Sequence, residues 1–65
     1  MRRIEVLDVS ARTVRVKDVV LIGGWQHTVV NLISHRKGKK LVLESGQTYL
    51  LEEGESLPAR RITGR

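Results

Sequence analysis

Two adjacent glycines, Gly23-Gly24, separate two runs of apolar and β-branched residues. The first run is Val19–Ile22, and the second covers residues 25–33. Glycine reaches the positive φ angles that tight turns between antiparallel strands require, so this pattern predicts a β-hairpin. One strand is expected to end near Ile22 and its antiparallel partner to begin near Trp25. A two-residue and a three-residue turn both fit the pattern.

The residues of Val19–Ile22 are apolar in succession, so both faces of this strand carry apolar side chains. A strand with one face in water alternates between polar and apolar residues. We therefore expect both faces of the hairpin to be at least partly covered. A small, strongly bent barrel would cover one face. The N-terminal strand or a second copy of the chain would cover the other.

The rest of the chain contains short segments of alternating or apolar residues separated by polar turns. The predicted strands cover residues 3–9, 13–16, 41–43, 48–51 and, as a final edge strand, 59–63. The predicted connections are residues 10–12, a bend or bulge at Lys17-Asp18, a polar loop at 35–40, and turns at 44–47 and 52–56. Helical periodicity does not persist for three turns anywhere in the sequence. The sequence therefore predicts an all-β fold.

Five strands from Val14 onward resemble the Src-homology-3-like small barrels, including their KOW and Tudor branches. The resemblance is carried by residues 16–20, 25–29, 41–49 and 57–62. It implies a five- to six-stranded barrel with an extra N-terminal strand. It also implies a binding module, since this wider family includes nucleic-acid binders, peptide binders and phage or plasmid accessory proteins.

The chain has 65 residues, no cysteine and a formal net charge of +5. This length predicts one domain with a small core: residues 1–13 as N-terminal strand and connection, 14–63 as the barrel, and 64–65 as a frayed tail. Disulfides and thiolate metal sites are excluded. The N-terminus lacks the apolar segment of a signal peptide, and no run reaches membrane-spanning length. We expect a cytoplasmic protein with no membrane partner.

The excess of Lys and Arg favours a polyanionic partner, chiefly DNA or RNA. Four basic residues occur within five positions, at Arg36, Lys37, Lys39 and Lys40. Gly38 is expected to keep this loop tight at a hairpin tip, where the cations would straddle a phosphate backbone. In the alternative interpretation, the same cations only solvate the loop and blunt a sheet edge.

Arg60 and Arg61 form a second basic cluster, and Arg2-Arg3 form a third. If the first and last strands are neighbours, these two clusters would merge into one stripe. The predicted nucleic-acid-binding residues are Arg36, Lys37, Lys39, Lys40, Arg60 and Arg61.

The acidic residues are also segregated, because residues 44–55 contain four glutamates and no Lys or Arg. These glutamates are Glu44, Glu52, Glu53 and Glu55. The segregation predicts a bipolar surface, with nucleic acid on one side and a protein or another copy of the chain on the other. Turn chemistry and ordinary solvation explain the same glutamates without a partner.

Trp25 and Tyr49 are the only Trp and Tyr, and there is no Phe. Two aromatics are too few for a base-stacking platform or an aromatic cage, so Trp25 is predicted to be a core or rim residue. His27 and His35 would stand about 26 Å apart along one strand, too far to share a metal ion. No catalytic arrangement or phosphate-binding loop is indicated. We predict no enzyme, no cofactor and no metal.

Two functions from different classes remain. The first is a module that binds duplex nucleic acid through the basic hairpin loop. The second is a protein-interaction or accessory module, of the phage or plasmid adaptor or inhibitor type, which would use a sheet edge or the apolar face of the central hairpin. The second function also allows a homodimer.

Overall fold

The fold was analysed in a computed structural model, which describes residues 2–64 and the side chains of residues 3–63. Six strands account for most of the chain and no helix occurs in the described part, so the all-β prediction is confirmed. The strands are β1 (Arg2–Ser10), β2 (Val19–Ile22), β3 (Trp25–His35), β4 (Gly38–Leu43), β5 (Thr48–Glu52) and β6 (Ser56–Gly64). They form one antiparallel sheet in the order β1-β6-β2-β3-β4-β5.

The central hairpin forms as predicted, with a two-residue turn. Ile22 pairs directly with Trp25, and the φ angles of Gly23 and Gly24 are +60° and +84°. Two positive φ angles in succession define the turn type whose twist matches that of the flanking strands. Within β2, Val20 is fully buried and its neighbours are half-buried, so the expected partial covering of both faces is confirmed.

Strand β3 is long enough to belong to both halves of the sheet. Its first half pairs with β2 and its second half pairs with β4, with a register shift between Val29 and Asn31. A bulge at this point bends the strand and increases its twist. The buried cluster joins residues from both halves, which are Val9, Val14, Val20, Val29, Leu41, Leu43, Leu51, Leu57 and Ala59. Among the described residues no ladder joins the two edge strands, β1 and β5, so the sheet bends over its core without closing.

The predicted strand at residues 13–16 is wrong. Residues 11–18 form a loop, which begins with Val14 N–H donating to Ser10 O at 2.9 Å and places the Val14 side chain in the core. The expected bend at Lys17-Asp18 is present, with Lys17 at a φ of +81°. A buried carboxylate at Asp18 and the single inward-facing valine hold this segment as a loop although its sequence alternates like a strand.

The prediction of residues 59–63 as an edge strand is also wrong. Strand β6 lies between β1 and β2, so the edges of the sheet are β1 and β5. Gly64, expected to fray, is the last residue of β6, and Arg65 lies outside the described residues. No helix of the described chain is long and apolar enough to cross a membrane.

Candidate nucleic-acid interface

The basic residues near position 37 lie on the hairpin between β3 and β4. His35 pairs with Gly38, so the turn itself contains only Arg36 and Lys37. Within the hairpin, Lys37 N–H donates to His35 Nδ1 at 3.1 Å. Lys37 O accepts from Glu53 N–H at 2.8 Å, and this bond holds the tip against the β5–β6 turn. The predicted loop at 35–40 is therefore too long. We call residues 35–40 the basic hairpin.

Gly38 has a different role from the one its sequence position suggested. It is the first residue of β4, directly opposite Glu52 of β5. A Cβ at Gly38 would collide with the Leu51 carbonyl oxygen and lie 2.8 Å from Glu52 Cα. Glycine is therefore required because the β5 backbone approaches closely, and the turn depends on Arg36 and Lys37 instead.

Lys39 and Lys40 lie on opposite faces of the sheet, where β4 is flanked by β3 and β5, and Arg36 and Lys37 lie in the turn. Lys39 is opposite Leu51 and shares the core-facing side of β4 with buried Leu41. Since side chains alternate along a strand, Lys40 is on the other side, opposite Ile33. Among residues 3–63, the ion pairs within 4.0 Å are Arg12–Glu53 and Arg61–Asp18, and neither uses a cation of this hairpin. All four cations are therefore free to meet an external anion.

Arg60 and Arg61 are neighbours in sequence but point to opposite faces of the sheet. Arg60 is exposed and lies between Val6 of β1 and Val19 of β2. The Arg61 side chain is only 18% exposed and forms a bidentate ion pair with Asp18, with Nε and Nη2 each donating at 2.8 Å. The Arg61 guanidinium is therefore occupied by a buried carboxylate of the same chain, and the prediction that it contacts phosphate does not fit this geometry.

The Asp18–Arg61 pair connects the loop 11–18 to β6. Asp18 is 1% exposed, and its Oδ2 also accepts from Arg15 N–H at 3.0 Å. Burial alone would raise the pKa of Asp18. The hydrogen bonds from Arg61 and Arg15 and the charge of Arg61 lower it by more than burial raises it, so the pKa lies below its usual value. The hydrogen bond to Asp18 raises the pKa of Arg61. Arg61 Nη2 also donates to Thr13 O at 3.0 Å, so one side chain fixes the loop at two points.

Arg60 and Arg61 do not both belong to the stripe that was expected to join them to Arg2-Arg3. Strands β1 and β6 are neighbours, as the stripe required, but Arg61 faces inward opposite Glu5 while Arg60 faces outward. Arg60 of β6 pairs with Val19 of β2, and Val19 pairs on its other side with Thr28 of β3, so these three residues lie side by side across the sheet. Thr28 precedes Arg36 by eight residues, or about 26 Å of extended strand. The basic hairpin is thus one site, and Arg60 lies apart from it.

The predicted separation of acidic from basic residues is wrong in space. Glu52 is opposite Gly38, and Glu53 holds the tip through its backbone and Arg12 through its carboxylate at 3.5 Å. Because β5 is the neighbour of β4, the acidic turn lies beside the basic hairpin. The molecule is not bipolar in the expected sense, and the local positive field is reduced.

An open cleft of about 490 Å³ lies between the β2–β3 ladder and the β4–β5 turn. It is lined by Val19, Gln26, His27, Thr28, Glu44 and Ser45. It contains one imidazole and one carboxylate. Within the part of the chain that the structure describes, no group of three or more His, Asp or Glu side chains is placed to hold a metal ion.

Trp25 was predicted to be a core or rim residue, and the core alternative is wrong, because the residue is 75% exposed. It follows the glycine turn directly, where the hairpin has already left the core. Tyr49 is the aromatic that packs against the core. Sequence reasoning also missed the exposed cations Arg15 and Lys17 of the loop 11–18, because residues 13–16 were assigned to a strand and Lys17 to a bend.

Comparison of the chain with protein-family models, with curated proteins and with solved structures finds no match.

Proposed function

We propose that this protein is a non-enzymatic binding module that contacts duplex nucleic acid through the basic hairpin. The observation that carries the proposal is the set of four cations, none within ion-pairing distance of a carboxylate of the described chain, around a two-residue tip. Two other arginines pair with carboxylates of the chain, Arg12 with Glu53 and Arg61 with Asp18. Unpaired cations grouped at one end of a sheet are an arrangement suited to phosphate recognition.

The shape of the hairpin supports a duplex partner. The hairpin tip is the end of the three-stranded part of the sheet formed by β3, β4 and β5. Lys39 and Lys40 point to opposite faces of this sheet, while Arg36 and Lys37 are exposed at its end. Cations on both faces and at the end of one sheet can contact the phosphates that border a groove without reading bases. Arg60 would be a separate, weaker contact.

We also propose kinship with the Src-homology-3-like small barrels. The support is the order β6-β2-β3-β4-β5, in which the last strand returns to pair with the first of the five and β1 is added outside β6. A cytoplasmic location follows from the proposed ligand, since duplex DNA and RNA are found there.

Binding of this kind is tested by titrating duplex DNA at low salt, followed by an ionic-strength series. Four phosphate contacts predict a slope of log K against log salt of about −3.6, or roughly a 150-fold loss between 50 and 200 mM. The double variant Lys39→Glu/Lys40→Glu should reduce affinity at least about tenfold and flatten that slope. Duplex RNA as a competitor distinguishes the two polymers.

The matched control is Arg15→Glu/Lys17→Glu, which changes the net charge equally at two exposed residues outside the hairpin. It should weaken binding far less. An equal loss in both double variants would show that net charge alone attracts the polymer, and would remove the hairpin from the proposal. Absence of any binding at low salt would reject the function itself.

The protein-interaction hypothesis is the second candidate, and a different observation favours it. Ile4, Val6 and Ile62 are 68%, 75% and 64% exposed, and all belong to the β1–β6 ladder. Exposed apolar residues that are contiguous on one face mark interaction surfaces more often than scattered ones do.

A further inference from the structure

Strand β1 is an edge that the fold leaves open. It has nine residues and pairs with β6 in nine consecutive positions, while its other side has no partner in the described structure. Natural edge strands are usually short, bulged, or protected by Pro or charged side chains; β1 is long and has no Pro or bulge, and its protection consists of charged residues such as Arg3, Glu5 and Asp8. The opposite edge, β5, has only five residues. The backbone groups along β1 are therefore a template for a further strand.

The outer face of the same ribbon carries an exposed apolar row at its end, beyond Asp8 and Arg60. Val9 and Leu57 pair with each other and are buried, so alternate residues Ile4, Val6 and Ile62 project on the opposite face. Ile4 and Ile62 are direct partners in the ladder. The open backbone edge and the exposed apolar row therefore belong to one surface.

We propose that a second copy of the chain occupies this surface, through antiparallel pairing of β1 with β1 centred on Ile4. This proposal goes beyond the nucleic-acid function and does not depend on it. If a two-fold axis perpendicular to the sheet relates the two copies, their outer faces lie on the same side of the joined sheet. Directly opposed residues in an antiparallel pair point to the same face, so the axis must run between the two copies of one residue, which then pair with each other.

The charges of β1 decide which residue lies at the centre of the pairing, opposite its own copy. Pairing about Ile4 places Arg3 of each copy opposite Glu5 of the other, which gives two cross-strand ion pairs. Pairing about Glu5 would oppose two carboxylates. Pairing about Val6 would place Glu5 opposite Leu7 and Ile4 opposite Asp8. Of these three centres, only Ile4 places opposite charges across from each other and isoleucine across from isoleucine, with Arg2 then opposite Val6.

The Ile4 centre also completes the outer face. Because Ile4 is opposite Ile62 within each chain, the dimer would align Ile62, Ile4 and the same two residues of the second copy in one row across four strands. On the inner face, Glu5 would lie between Arg61 of its own chain and Arg3 of the other copy. A strand from a different protein would need the same order of charges to form these ion pairs, whereas a second copy of the chain has that order because the two strands are identical.

The pairing is short, so the interface lies at the small end of specific contacts. Sedimentation equilibrium should therefore show a mass that rises from 7.4 kDa toward twice that value between about 10 µM and 1 mM. The variant Ile4→Lys would oppose two ammonium groups and should weaken self-association at least tenfold. The control Ile33→Lys makes the same change at an exposed isoleucine of the interior strand β3, and should leave the mass curve unchanged.

A charge exchange tests the register itself. Arg3→Glu alone opposes two carboxylates, Glu5→Arg alone opposes two guanidinium groups, and each variant should be monomeric. Mixed together, the two variants should form a heterodimer, because each altered side chain then meets an opposite charge. The control pair Arg36→Glu and Glu44→Arg makes the same charge changes away from β1, and should show neither loss nor rescue.

Three results would overturn the proposal. A wild-type chain that stays monomeric at millimolar concentration would remove the second copy as the occupant of β1. A dimer that survives Ile4→Lys would place the interface elsewhere. A mixture of Arg3→Glu and Glu5→Arg that stays monomeric, with both variants folded by circular dichroism, would exclude the Ile4 register.

Discussion

The basic hairpin and the β1–β6 arm, which we define as residues 2–6 and 60–64, are two antiparallel ribbons of the sheet that contribute no residue to the buried cluster. The hairpin exposes Arg36, Lys37 and Lys40, whereas the arm exposes Ile4 and Ile62. Charged side chains on a ribbon are well solvated by water, whereas exposed apolar side chains would lower the free energy if a partner buried them. The same strand geometry therefore points to two different kinds of partner, a polyanion for one ribbon and a polypeptide for the other.

The two ribbons are also attached to the core in different ways. The hairpin is held by backbone contacts with β5 and the β5–β6 turn, at Gly38 and Lys37. The arm is held by a side-chain ion pair, Arg61–Asp18. Each attachment suggests a substitution that should loosen one ribbon more than the other.

The largest effect is expected at the attachment of the arm. Arg61→Ala would leave the buried Asp18 carboxylate without its charged partner, which should cost about 3 kcal/mol of unfolding free energy, most of the stability of so small a domain. Arg60→Ala is the control, since Arg60 is exposed and should change stability by less than about 0.5 kcal/mol. Urea denaturation followed by circular dichroism measures both. Equal effects at the two positions would mean that Arg61 does not anchor the arm.

The next effect concerns the attachment of the hairpin. Gly38→Ala would force the β5 backbone to move and should cost about 2–3 kcal/mol. The control Gly46→Ala has the positive φ of +91° but no atom within 4 Å of the added Cβ, and should cost about 1 kcal/mol. The difference between the two variants isolates the close approach of the strands. A smaller loss at Gly38 than at Gly46 would contradict the packing of β5 described above.

The strands and turns followed from local chemistry. The Gly23-Gly24 hairpin was predictable because its turn needs two positive φ angles, which glycine adopts at little cost. The segments at 41–43 and 48–51 were predictable from their apolar residues and the turn between them. The loop at 11–18 was not, since its conformation depends on Asp18 meeting Arg61, 43 residues away in sequence.

The candidate site was predictable in composition but not in arrangement. The cluster of cations around Lys37 can be identified by counting, and the structure leaves all four unpaired. Glu53 lies close to the basic hairpin because β4 pairs with β5. Arg60 is exposed and Arg61 is directed inward because of which face of β6 is buried. The exposure of Ile4 and Trp25 likewise follows from where the core ends, and no local pattern encodes that boundary.

The smallest effects on folding should discriminate best between the two ribbons. Ile62→Thr and Lys40→Thr both change exposed strand residues to one that favours strands, so each should shift the unfolding free energy by less than about 0.5 kcal/mol. Their binding properties should separate completely. Lys40→Thr should reduce the salt dependence of duplex binding by about one contact and leave the sedimentation curve unchanged. Ile62→Thr should weaken self-association, because it removes the outer isoleucines of the proposed row, without altering that salt dependence. If either variant changed both measurements at constant stability, the two ribbons would not be independent surfaces.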